Sequence, residues 1–217
     1  MGQYYKPCLM TGNKMRWLYS HDYDNGLKLM EHSYMGNNFV NAVLSQIFKA
    51  PQRVAWMGDY AMDEYADHEY GKEPYTRKKT RKRFETLYQR AWGERGERFR
   101  ILPEAMKGFD ELDDFNGWYL VNHSQKTFID LGEYERQNKW HEKHTWNGKT
   151  EEWDMCVNPL PLLTACGNGR GGGDYHDQYP DYHKVGTWAF DKIEFTDKKP
   201  DKYKPVGYSF TEQIPQF

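Results

Sequence analysis

Hydrophobic and polar positions set two periods in the first sixty residues. Residues 4–10 and 14–19 alternate as strands and flank Thr11-Gly12-Asn13, where Gly and Asn tolerate positive φ, so a β-hairpin is expected. His21-Asp22-Tyr23-Asp24-Asn25-Gly26 is turn chemistry, followed by a short helix through Leu27, Leu29, Met30 and Glu31. Gly36-Asn37-Asn38 breaks that helix and caps the next. There Phe39, Val40, Val43, Leu44, Ile47 and Phe48 recur on one face, the clearest helical period in the chain. Pro51 stops it, and residues 53–60 read as a strand.

From Gly117 the plan restarts. Residues 118–122 and 126–131 form a second expected hairpin around His123-Ser124-Gln125, and a polar segment runs to about residue 154. An apolar stretch at 160–165, a glycine-rich loop, and a strand within 185–196 carrying Trp188, Phe190, Ile193 and Phe195 complete it. Gly186-Thr187-Trp188-Ala189-Phe190-Asp191 echoes Ala55-Trp56-Met57-Gly58-Asp59. The expected fold class is therefore α+β: antiparallel hairpins packed with a few helices. It is read as two degenerate hairpin–helix–strand copies in one domain, residues 1–60 and 116–196, around a charged insertion at 61–115. The Lys/Pro-rich tail, 197–217, is expected to be mobile, with Tyr208, Phe210, Ile214 and Phe217 available to dock.

Composition sharpens this picture. Only 38% of the residues are hydrophobic, but 8 Trp, 17 Tyr and 11 Phe supply the area a core needs, which disordered chains lack. The 30 Lys+Arg nearly balance 32 Asp+Glu, so global charge names no partner. Locally the balance breaks: residues 76–100 hold ten Lys/Arg against three Glu. Phe84, Leu87, Tyr88 and Ala91 fall at helical spacing there, so the insertion reads as a basic amphipathic helix, with acidic residues 104–114 soon after. Cys8, Cys156 and Cys166 are odd in number and lack Cys-x-x-Cys spacing, which argues against a disulfide framework or zinc ribbon. No signal-like or membrane-length apolar run is present, and Lys6 stands where a myristoylation motif wants Ser or Thr. A cytoplasmic location and no membrane partner are expected.

Three groups of residues carry candidate chemistry. In the glycine-rich loop, Gly167, Gly169, Gly171, Gly172 and Gly173 let backbone N–H groups converge on an anion, and Arg170 adds a bidentate clamp. The loop formally contains G-x-G-x-x-G, but a poor helix opening follows at 174–180, which argues against a dinucleotide fold; no Gly-Lys-Ser/Thr follows either. The alternative is a structural crossover. Second, His21 and Asp22, and Asp174 and His176, are the acid–base candidates if the two halves share a cleft. Turn Asp and His commonly serve only in capping, no ligand spacing specifies a metal, and no cofactor is indicated. His141-Glu142-Lys143-His144 is one residue short of a zincin helix, and no serine lies in a nucleophile elbow. Third, Lys78, Lys79, Arg81, Lys82 and Arg83 can meet phosphates, with Tyr75, Tyr88 and Trp92 for stacking; the bland alternative is pairing with 104–114.

Met-Gly-Gln-Tyr-Tyr-Lys-Pro at 1–7, Ser-His-Asp-Tyr-Asp-Asn-Gly-Leu-Lys-Leu-Met-Glu-His-Ser at 20–33, Gly-Asn-Gly-Arg-Gly-Gly-Gly-Asp-Tyr at 167–175 and Gly-Thr-Trp-Ala at 186–189 resemble a family of bacterial and phage proteins. The resemblance covers both ends of the chain and not 61–115, and it brings no catalytic residues. It implies a phage or prophage origin and interference with a host defence protein or nucleoprotein complex. The expected function is binding of nucleic acid, a nucleotide or a host nucleoprotein. The alternative is a hydrolase or lyase acting on a phosphorylated or nucleotide-like small molecule.

Overall fold

The computed structural model describes residues 3–11, 14–61, 91–92, 97–101, 106–167 and 181–210. Hairpin β1 (Tyr5–Thr11) and β2 (Lys14–Trp17) forms as the alternation predicts, and β3 (Gln52–Gly58) lies antiparallel against β1. A second hairpin, β5 (Tyr119–Asn122) and β6 (Thr127–Asp130), has β10 (Lys192–Thr196) antiparallel against β5. The third strands meet, with Lys192 opposite Arg53 and Ile193 opposite Gln52. Short strands β4 (Glu97–Arg98), β9 (Ala165–Cys166) and β11 (Lys204–Pro205) join β2, β3 and β6 in parallel. The fold is α+β, built on a mixed nine-stranded sheet ordered β11-β6-β5-β10-β3-β1-β2-β4, with β9 sharing the β10 edge of β3.

Each three-strand unit thus places its third strand beside the first strand of its hairpin. The connections differ. β2 leads to β3 through α1 (Asn38–Ile47), whereas β6 leads to β10 through α2 (Leu131–Asn138), a separate ribbon β7 (Trp140–Trp146) and β8 (Lys149–Met155), and α3 (Pro159–Leu163). Asn37 caps α1 by accepting from the N–H groups of Phe39 and Val40. The expected helix at 27–31 is only a 3-10 turn, Leu29–Glu31, because Gly26 and Gly36 leave too short a run to nucleate more. Asp130 and Asn158 cap α2 and α3 through their side-chain oxygens; α2 lies in the stretch expected to be polar, and α3 in the apolar stretch expected at 160–165.

One face of the sheet carries the main core: Tyr5, Leu9, Val54, Trp56, Ile193 and Phe195 pack against Phe39, Val43, Leu44 and Ile47 of α1. The opposite face has a smaller cluster, Cys8, Met10, Met15, Ala55 and Met57, covered by Ala61 and Ala91. Both ends of the segment 61–91 therefore sit on this outer face. The expected mobility of the tail is corrected for residues 197–210. Lys204 N–H donates to Lys126 O, Val206 N–H to Phe128 O, and Phe210 is fully buried in the main core. Burial of its ring, with these two backbone hydrogen bonds, offsets part of the entropy of ordering the segment.

Candidate functional site

The β2–β4 edge gathers cations and aromatic rings. Lys6 points outward from β1, and its ammonium lies 4.1 Å from the Trp17 ring centre and 4.0 Å from that of Trp92. The same ammonium donates to Ala91 O at 3.3 Å, and Trp92 Nε1–H donates to Met57 O at 3.0 Å, which fixes the end of the insertion on the sheet. Burial holds the Lys6 pKa below the ordinary lysine value. Arg98 stacks over Tyr19 at 4.8 Å, and Arg16 over Phe99 at 4.3 Å. Phe99 N–H donates to Trp17 O and Ile101 N–H to the Tyr23 hydroxyl, so β4 is tied to both the edge strand and the core.

His21 and Asp22 stand beside this edge in the 3-10 turn Ser20–Tyr23. Asp22 accepts from both Nε and Nη2 of Arg98, the first at 3.2 Å, so its carboxylate is occupied by a bidentate pair. His21 is exposed and rests its ring 4.9 Å from that of Tyr19. This placement gives Asp22 an orienting role on Arg98.

Gly167 follows β9 and is buried. A Cβ there would run into the Gln3 carboxamide and the Tyr5 hydroxyl, and one at Gly58 would meet the same carboxamide. Close approach of a buried Gln3 between two glycines is thus a packing reason for Gly167. Gly169, Arg170, Gly171, Gly172, Gly173, Asp174 and His176, like Lys78, Lys79, Arg81, Lys82 and Arg83, lie outside the described residues.

His32, by contrast, is fully buried: Nδ1–H donates to Gly26 O at 3.0 Å and Nε2 accepts from Trp56 Nε1–H at 3.0 Å. Burial pushes its pKa down to about 4, so it is a neutral core group. Burial likewise pushes the Cys8 and Cys156 thiols up to about 12, which removes them as nucleophiles. His141, Glu142, Lys143 and His144 belong to strand β7, so the helical geometry of a zincin is absent there. Among the described residues no cluster of His, Cys, Asp and Glu could hold a metal, and no helix is long and apolar enough to cross a membrane.

Sequence reasoning missed two groups. Arg98 meets Tyr19 on the outer face, and Phe99 meets Arg16 on the core side of the edge, only because β4 returns to β2 across about eighty residues, and no linear motif marks that pairing. The second is a polar chain at the other half of the sheet. Glu194 Oε2 lies 2.7 Å from His123 Nε2, and His123 Nδ1 lies 3.0 Å from the Tyr203 hydroxyl. The usable signal was strand alternation, which puts His123 and Glu194 on the face opposite Leu120 and Phe195. Comparison of the chain with protein-family models, curated proteins and solved structures gave no match.

Proposed function

We propose that the protein is a binding protein whose partner presents phosphates and flat rings: nucleic acid, a nucleotide, or a nucleoprotein that exposes them. The observation that carries this reading is the set of cations laid on rings at the β2–β4 edge, Lys6 on Trp17 and Trp92 and Arg98 on Tyr19 on the outer face, and Arg16 on Phe99 on the core side. A guanidinium laid over a ring is positioned at little further entropy cost, and the N–H groups that Arg98 does not give to Asp22 remain for a phosphate. Arg100 and Lys14 add exposed positive charge beside it, against Asp22 and Glu97. The insertion is anchored at the same place through Ala91 and Trp92, and its Lys/Arg-rich sequence extends the charge. The resemblance to bacterial and phage proteins supports the narrower reading, a phage-type inhibitor of a host defence nucleoprotein in the host cytoplasm.

The reading is tested by fluorescence anisotropy with a labelled single-stranded oligonucleotide. Charge reversal at Arg16 and Arg98 together should weaken binding at least ~10-fold, as losing phosphate contacts does. Unchanged affinity would refute the role of this edge. The enzymatic alternative, with His21, Asp22, Asp174 and His176, has less support, because Arg98 holds the Asp22 carboxylate.

A further inference from the structure

We propose that Tyr203, His123 and Glu194 form a second, catalytic site: a tyrosine hydroxyl activated by a carboxylate-held imidazole, acting on phosphoesters. A carboxylate only accepts, so Glu194 Oε2 at 2.7 Å places the imidazole proton on Nε2. Nδ1 is then the acceptor, and it faces the Tyr203 hydroxyl at 3.0 Å. Nucleophile, base and orienting carboxylate thus stand in the order that covalent catalysis requires. Tyr203 precedes β11, and Lys204 N–H on Lys126 O with Val206 N–H on Phe128 O fixes the backbone beside it.

Two observations separate this site from a simple clip for the tail. First, the groups are not deeply buried: the His123 and Glu194 side chains are 27% and 18% exposed. Burial therefore does not demand their pairing, and a substrate can reach them. Second, the register puts Lys192 directly opposite Arg53 on this same outer face, two residues along β10 from Glu194. Like charges opposed across a ladder are destabilising, and an anion between them removes the cost. Arg53 is held in place by its Nη1 donating to Phe190 O at 2.8 Å. A base-activated hydroxyl on the face that also carries Lys192 and Arg53 fits a phosphoester rather than a neutral ester.

The step balances without a further oxidant or reductant. The Tyr203 oxygen forms a bond to phosphorus as the bond to the leaving alcohol breaks, and the tyrosine proton passes to His123 Nδ1. That proton then goes to the leaving oxygen. Water attacks the phosphorus of the phosphotyrosyl, gives a proton to Nδ1, and Tyr203 recovers it as the phosphate product departs, a monoester when the substrate is a diester. Glu194 is a positioning residue that stabilises the imidazolium.

The test uses the full chain with bis(4-nitrophenyl) phosphate, whose leaving group needs little acid assistance. Nitrophenolate release is followed by absorbance, and a Tyr203 adduct by peptide mass spectrometry. Release above buffer is expected, reduced at least ~100-fold in Tyr203→Phe and His123→Gln, the usual worth of a nucleophile–base pair. Glu194→Gln should shift the acid limb of the rate profile to lower pH, a change that a purely structural role would not produce. Tyr203→Phe keeps the ring, and thermal melts check its fold. No release from the wild-type protein, or release that persists in Tyr203→Phe without a Tyr203 adduct in the wild type, would overturn the proposal.

Discussion

Trp56 donates its indole N–H to Nε2 of His32 at 3.0 Å, inside a core where both side chains are fully buried. The imidazole must stay neutral for this, because a protonated ring would face the indole N–H with another donor.

Acid should therefore act on this pair. Burial pushes the pKa of His32 down to about 4 in the fold, below the ordinary imidazole value of 6.5. Between those values the unfolded chain takes up a proton that the folded chain refuses, so stability falls as pH drops from 6.5 to about 4 and then levels. The loss is about 3 kcal/mol, at roughly 1.4 kcal/mol per pH unit. Urea unfolding of wild type and His32→Gln across this range should show the extra slope in the wild type alone. Parallel slopes would contradict the assignment.

Gly167→Ala places a methyl group against the Gln3 carboxamide and the Tyr5 hydroxyl. Overpacking of this kind costs typically 1–3 kcal/mol. The expected result is a lowered urea midpoint for Gly167→Ala. An unchanged midpoint would return Gly167 to the ligand-binding role expected from the loop's composition.

Phe210→Ala measures the docking of the tail. Removing a fully buried phenylalanine costs about 3–5 kcal/mol, and hydrogen exchange at Lys204 and Val206 should accelerate with it. A surface-bound, mobile tail would show neither effect.

Asp22→Asn separates orientation from catalysis. The Arg98–Asp22 pair is half exposed at the arginine, so its removal should change stability by about 1 kcal/mol or less. Oligonucleotide affinity should rise about two- to threefold, because a negative charge leaves the edge. A fall in affinity would show that the orientation Asp22 gives Arg98 outweighs the negative charge it adds.

The framework of this fold was legible because its strands and its main helix use local rules. Alternation found both hairpins, and Asn37 with the Phe39–Val43–Ile47 face found α1. What failed depends on distant chain. The ribbon β7–β8 has mostly exposed, charged positions, with Lys143 on Glu152 and Lys139 on Asp154, so no buried face marks it in sequence. Its turn, Asn147-Gly148, with both residues at positive φ, was the available local signal. The tail's lysines and prolines suggested mobility; Phe210, named as able to dock, is buried, while Tyr203 gave no signal among them. In the candidate site, His21 and Asp22 were found by residue type, but the cation that occupies Asp22 lies 76 residues away.

The most direct measurement is the salt dependence of single-stranded oligonucleotide binding to the full chain. Log affinity is expected to fall linearly with log salt, with a slope near −0.7 for each phosphate neutralised. The slope should flatten by about two such steps when Arg16 and Arg98 are both changed to Gln, and further when Arg81, Lys82 and Arg83 are. Absence of binding at low salt, or a slope that ignores Arg16 and Arg98, would contradict it.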